Sequence, residues 1–374
     1  MIVLYSFLAL LAAVISVFLL PCPTRWWCKK EYYSTIAIVI GAFLVGNAIV
    51  VGIGCAIGYS GNTSLERINY KITKISHQEQ YTRRESRTRS KTDSNGKTTT
   101  ETYYVTVKYG PYWHKYDEFG SQRYSSQKEY DLWKNVWGNE QKTGTIRGTS
   151  AGWFDNKDGD TYQATFPGTF DTIFPSYHTQ RYKNKVRASQ SIFRRSDSPV
   201  HYARPVDKNL RCVVNYDNSY TPREPDLLFM DRLNAVLGPI KQVHCIIVVF
   251  DGASTSPSVV DDVLNSWGGC NKNELVVFIG LTSNEIKWIR TESWMDNTTI
   301  HGCIDSALIG KPFNVPSIGS VLEENVLAHW NRKEFKDFDY IQVNFSFGYS
   351  IAIFVVQFIL NVVALVCIRM HVSC

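Results

Sequence analysis

VHCIIVVF, residues 243–250, is an unbroken apolar run rich in β-branched side chains and free of Gly and Pro. A run this short and this apolar predicts a strand buried on both faces. ELVVFIGL, 274–281, has the same character. Between the two, Ser256-Pro257 precedes Val259, Val260, Val263 and Leu264 at helical spacing, and Gly268-Gly269 supplies the stop. Upstream, Pro225 opens a helical pattern through Leu228, Met230, Leu233 and Leu237, which Gly238-Pro239 is expected to end. Downstream, Thr282-Ser283-Asn284 turns the second strand into an antiparallel EIKWIRTES, 285–293. Ser320 and Glu323 have capping-box spacing and predict a last helix through Leu322, Val326 and Trp330. Residues 216–340 therefore read as a small α/β sandwich whose helices cover a mixed sheet.

Residues 60–215 read as β-rich. Ile68, Tyr70 and Ile72 alternate on the way out, and Tyr103, Val105, Val107 and Tyr109 on the way back. That predicts one long hairpin over 62–109, with Asn95-Gly96 as its turn. Its middle, 76–102, is too polar to bury anything and is expected to be a flexible ribbon or a disordered loop. Ser126 and Glu129 box a short helix whose Tyr130, Trp133 and Trp137 share one face before Gly138. Short aromatic runs broken by turns fill the remainder, with Asp158-Gly159 as a hairpin signal.

The ends carry long apolar runs, 2–20, 36–59 and 347–368, without Asp, Glu, Lys, Arg or His. About 20 such residues are enough for a helix to cross a bilayer core. The expectation is an α+β membrane protein with three transmembrane helices (1–21, 35–59 and 346–369), a short basic loop at 22–34 and a tail at 370–374. Arg25, Lys29 and Lys30 in that loop favour a multipass protein of the cell membrane with its large polar region outside the cytoplasm. Asn47 and Gln357 fall near the centres of the second and third runs, where they would bond to each other, and Gly54 and Gly58 offer a small face for close intramembrane packing. No run carries a charge, which disfavours a channel or transporter.

Candidate chemistry is sparse. Asp251 follows the first buried strand and Asp261 and Asp262 sit on the next helix, so the three would hold Mg²⁺ or Ca²⁺ if they converged at the strand ends. Asp155, Asp158 and Asp160 are a weaker Ca²⁺ set without a closing Glu. His244, Cys245, Cys270, His301 and Cys303 are zinc-type ligands in no zinc spacing. Cys270 and Cys303 would pair as a disulfide in an oxidising compartment. Gly148-Thr149-Ser150-Ala151-Gly152 fits G-x-S-x-G but is followed by turn residues rather than a helix. Arg83, Arg84, Arg87, Arg89, Lys91 and Lys97 make the hairpin arm basic, suited to anionic lipid or an acidic partner. The overall charge of +6 is too small to imply nucleic acid, and no P-loop, dinucleotide fingerprint or H-E-x-x-H is present.

LNAVLG (233–238), VHCIIVVFDG (243–252) and VLNSWGGCNKNELVVFIGLTSNEIKWIRTES (263–293) together resemble the TPM domain of membrane-anchored bacterial and thylakoid proteins. The resemblance implies a small α/β sandwich, tethered to a membrane and in some members a weak metal-dependent phosphatase. The early acidic element of that domain is not clearly matched, because Asp226 lies inside the helix start. YHTQRYKNKV (177–186), WGGCNKNE (267–274) and KDFDY (336–340) are similar to uncharacterised membrane proteins of tailed phages. The function expected is that of a membrane-anchored, non-catalytic interaction protein, without cofactor, meeting the lipid bilayer and another membrane or envelope protein, or a further copy of itself. A TPM-type metal-dependent phosphatase and a superinfection-exclusion or envelope-remodelling factor are the alternatives.

Overall fold

The structure is a computed structural model, and it describes residues 41, 45–54, 56–57, 63–146, 159–183, 200–205, 212–295, 297–338, 351–360 and 362–363. Its first sheet is built on one long strand, β1 (Thr63–Gln78). Over Thr63–Lys71 this strand pairs antiparallel with β8 (Pro175–Lys183). After an irregular step between Ile72 and Lys74, β1 runs between β4 (Tyr112–Asp117) and β7 (Asp160–Thr165). β5 (Gln122–Tyr124) and β6 (Gln141–Thr145) extend the sheet at either side. Helix α1 (Gln127–Trp137) covers it, burying Tyr130, Trp133 and Trp137 against Tyr70, Ile72, Ile75 and Ala164. α1 starts as its spacing predicts, with the Glu129 amide donating to Ser126 Oγ at 3.1 Å. Gly138 ends it at φ 64°, a backbone conformation most side chains avoid.

The long hairpin takes a different form. β1 turns away at Glu79-Gln80, and a separate ribbon follows, β2 (Tyr81–Thr92) paired to β3 (Thr98–Tyr109). β3 never meets β1, because β4, β7 and β8 already occupy the edges of that strand.

The second sheet has the order β12-β11-β10-β9. β9 (Val213–Asn215), β10 (His244–Asp251) and β11 (Glu274–Thr282) are parallel, and β12 (Glu285–Ser293) returns antiparallel. The positive φ of Ser283 and Asn284 makes that last turn. Cys245, Ile247 and Val249 face α2 (Glu224–Lys241), α4 (Thr299–Leu308) and α5 (Val315–His329). Ile246, Val248 and Phe250 face α3 (Val259–Trp267). Both parallel crossovers, β9-α2-β10 and β10-α3-β11, step the same way across the sheet, yet their helices cover opposite faces. One of the two is therefore left-handed, against the strong preference for right-handed connections.

Two helix boundaries differ from the sequence reading. α2 continues through Gly238-Pro239 to Lys241, because Pro239 falls in the last turn and Gln242 caps the end in left-handed geometry. α5 begins before Ser320: Asn314 Oδ1 accepts from the Ser317 amide at 2.9 Å, and Pro316 sits in the first turn, where a missing amide costs nothing. α4 was not foreseen, although Ile300, Ile304 and Leu308, all buried, carry a helical signal.

The membrane expectation is overturned: among the described residues no helix is long and apolar enough to cross a membrane. α2 has 18 residues but carries Glu224, Asp226, Asp231, Arg232 and Lys241. The transmembrane, multipass and cell-membrane assignments, with their orientation, are corrected accordingly. The run 2–20 and the loop 22–34 lie outside the described residues.

The two sheets interlock through the 268–273 loop. Asn271 Nδ2 donates to Leu65 O, and Asn273 Nδ2 to Arg67 O, both at 2.8 Å, so the loop satisfies backbone carbonyls of β1. Tyr182 OH on β8 reaches Asn271 Oδ1 at 3.2 Å. Lys272 Nζ and Arg332 both approach the buried Glu66 carboxylate. At Gly238, a Cβ would lie 2.2 Å from Asn69 O, so only glycine lets α2 rest on the β1 backbone.

Candidate functional site

The β2–β3 ribbon holds every basic residue singled out from the sequence arm. It pairs in unbroken register from Tyr81↔Tyr109 to Thr92↔Thr98, about 40 Å of strand. Directly opposed residues share a face. One face therefore carries Arg83, Glu85, Arg87, Arg89 and Lys91 with Val107, Val105, Tyr103 and Glu101. The other is dominated by hydroxyls, from Thr82, Ser86, Thr88, Ser90 and Thr92 to Thr98, Thr100, Thr102 and Thr106. The tip closes through Asp93, whose Oδ1 accepts from the Asn95 and Lys97 amides at 3.0 and 2.9 Å.

Isolated two-stranded ribbons are marginal in water, and cross-strand contacts supply what order this one has. Tyr81 stacks on Tyr109 with centroids 5.3 Å apart. Arg89 donates through Nε and Nη2 to Glu101 Oε2 at 3.1 and 2.9 Å. The Arg84 guanidinium lies 4.6 Å from the Tyr104 ring centroid. Glu85 accepts from Tyr109 OH and faces Arg87 at 3.7 Å. Arg83, Arg84, Lys91 and Lys97 are in no ion pair among the described residues. The sheet has two strands only, so each outer edge presents unpaired backbone groups among those residues.

The acidic set does not converge. Asp251 Oδ1 accepts from the Ala253 amide at 2.9 Å, and hydrogen bonds from the Ser254 side chain and the Ala253 amide hold its carboxyl below the usual range. Asp261 is drawn to Arg290 Nη2 at 3.0 Å on β12, and Asp262 is its neighbour on α3. Asp251 thus shapes a turn, while the α3 acid ties the helix to the sheet. Among the described residues no group of three His, Cys, Asp or Glu side chains is placed to hold a metal. The Mg²⁺ or Ca²⁺ site is corrected on that ground. Asp160 bonds to Lys142 Nζ at 2.5 Å, while Asp155, Asp158 and the 148–152 motif lie outside the described residues.

Cys270 and Cys303 are free thiols, which overturns the disulfide. Cys270 packs in the cluster on the α3 side of the sheet, whereas Cys303 lies on α4, across the sheet. The zinc-type residues scatter likewise. His244 Nε2 lies 3.6 Å from Cys212 Sγ, and Asn234 Nδ2 donates to the same sulfur at 3.3 Å. Burial pushes the His244 imidazole down to about 4, and its Nδ1 has no hydrogen-bond partner among the described residues. Gln357 Nε2 donates to the backbone oxygen of Asn47 at 3.4 Å, and Gly54 faces Ile353 closely enough that a Cβ would lie 2.8 Å from its Cδ1. Gly58 lies outside the described residues.

One constellation was missed by the sequence reading. Ser293 Oγ lies 2.7 Å from His301 Nε2, and Thr291 Oγ1 donates to Asp305 Oδ1 at 2.6 Å. Thr291 and Ser293 are two apart on β12, and His301 and Asp305 four apart on α4, so each pair shares a face. Recognition required knowing that α4 exists and that it packs on β12.

No family model, no curated protein and no solved structure matches the chain. Its function is read from geometry.

Proposed function

We propose that this protein is an interaction protein whose β2–β3 ribbon captures an acidic, extended segment of a partner protein by strand addition. The observation that carries the reading is a twelve-pair ribbon with open edges and four cations in no ion pair among the described residues, Arg83, Arg84, Lys91 and Lys97. Backbone groups on an open edge supply hydrogen bonds that any extended chain can match. The cations select acidic side chains and speed encounter, and salt weakens both effects. The interlocked sheets provide the rigid base from which the ribbon projects. Asp251 accepts from the Ala253 amide and Asp261 pairs with Arg290, which supports this reading over a metal-dependent phosphatase.

The test uses the full chain and a fluorescent peptide of alternating Glu and Val, read by anisotropy. Binding that weakens at least tenfold between about 50 and 200 mM salt, and at least tenfold again in an R83E/R84E/K91E/K97E variant, supports the proposal. Equal binding of a Lys-Val peptide overturns it. So does binding of a single-stranded oligonucleotide, or of anionic vesicles, with no response to the acidic peptide.

A further inference from the structure

The Ser293–His301 contact is a nucleophile and a base within hydrogen-bond reach, lying apart from the ribbon. Three features set it off from an ordinary polar contact. Ser293, His301 and Asp305 are all partly exposed, whereas the His244–Cys212 pair, chemically similar, is sealed in the interior. Burial lowers the His301 imidazole below its ordinary value, so it is a neutral acceptor at physiological pH. The charges of Glu292 and Asp305 oppose that shift and favour the imidazolium that forms when the ring takes a proton. Asp305 in turn is fixed by Thr291 at 2.6 Å. A nucleophile and a base in contact are the core of covalent acyl transfer, and Asp305 stands one helical turn from that base on α4.

We propose that Ser293 and His301 form a catalytic dyad that hydrolyses carboxylic esters exposed on the surface of a substrate, with Asp305 as its positioning residue. Ser293 Oγ bonds to the ester carbonyl carbon while its proton passes to His301 Nε2. The bond from that carbon to the alcohol oxygen breaks, and Nε2 returns the proton to the departing alkoxide. Water then attacks the acyl-Ser293 ester with His301 again accepting a proton. The carboxylic acid leaves, and Oγ regains its hydrogen. No oxidant, metal or cofactor enters the balance. The dyad sits at the end of an edge strand, which suits an acyl group presented on an extended or surface-held substrate.

The experiment treats the purified full chain with a fluorophosphonate probe and, separately, with p-nitrophenyl acetate. The expected result is a probe adduct on the peptide containing Ser293, and ester turnover reduced at least about 100-fold in S293A and in H301Q. D305N is expected to lose about tenfold and to move the acidic limb of the pH profile to lower pH, since the removed carboxylate raises the imidazole. S306A, which removes a hydroxyl of α4 bonded only to the Cys303 carbonyl, is expected to keep the adduct. Absence of an adduct on Ser293 in the folded wild-type protein overturns the proposal without touching the ribbon reading. Turnover in S293A within twofold of wild type overturns it equally, as does a pH profile unmoved by D305N.

Discussion

Lys272 Nζ lies 3.6 Å from Glu66 Oε1, and neither side chain meets appreciable solvent. Arg332 reaches the other oxygen of the same carboxylate. Burial pulls the Lys272 ammonium down from its usual pKa, and the Glu66 charge opposes that pull. Glu66 belongs to β1 and Lys272 to the loop before β11, so this contact spans the two sheets.

Glu66→Ala is expected to destabilise the fold by about 3–5 kcal/mol, because it removes the buried carboxylate that Lys272 and Arg332 both approach. A combined E66L/K272M/R332M change is expected to recover much of the loss, since apolar replacements need no compensation. Urea denaturation midpoints of the two variants check the ordering.

Stability is expected to fall as the solution is acidified. His244 titrates at about 4 in the folded chain, below its ordinary 6.5, so protons bind the unfolded chain first. The contribution is complete above about pH 6.5 and is lost as pH drops toward 4, roughly 3 kcal/mol in all. His77, His114 and His301 are shifted in the same direction. Denaturation at stepped pH should show this slope, and H244Q should flatten part of it.

Thiol reactivity should follow burial rather than pairing. Cys212, Cys245 and Cys270 are buried, and burial raises all three thiols, Cys245 to about 12. Cys303 is half-exposed. Among these four, iodoacetamide is expected to alkylate Cys303 first and the other three only on unfolding, as read by peptide mass.

Two glycine substitutions should separate the base from the ribbon. Gly238→Ala drives a methyl into Asn69 O and is expected to lower global stability by about 1–3 kcal/mol or more. Gly96→Ala meets open space but forces φ +76° on a side chain, so about 1 kcal/mol of strain stays at the tip. Amide exchange should quicken between β2 and β3 in the second variant and throughout both sheets in the first.

Local signals carried much of the α/β half. The apolar runs at 243–250 and 274–281, the Gly268 stop and the Thr282-Ser283-Asn284 turn all describe features that a few neighbouring residues decide. The Ser126 cap is of the same kind. What stayed hidden depends on distant partners. Nothing near Ile68 or Tyr70 says that β4, β7 and β8 compete for β1. Asn271 and Asn273 look like turn residues until the carbonyls of β1 meet them. The Ser293 contact hides for the same reason, since β12 and α4 must first fold against each other.

β1 is one continuous strand that leads directly to the ribbon, and its first half is held by nine register pairs to β8. A pull on the ribbon directed along β1 would load those bonds side by side, in shear. They must then rupture together rather than peel one at a time. Tension applied at Asn95 would accordingly reach Glu66, Arg67 and the 268–273 loop before the strand slips.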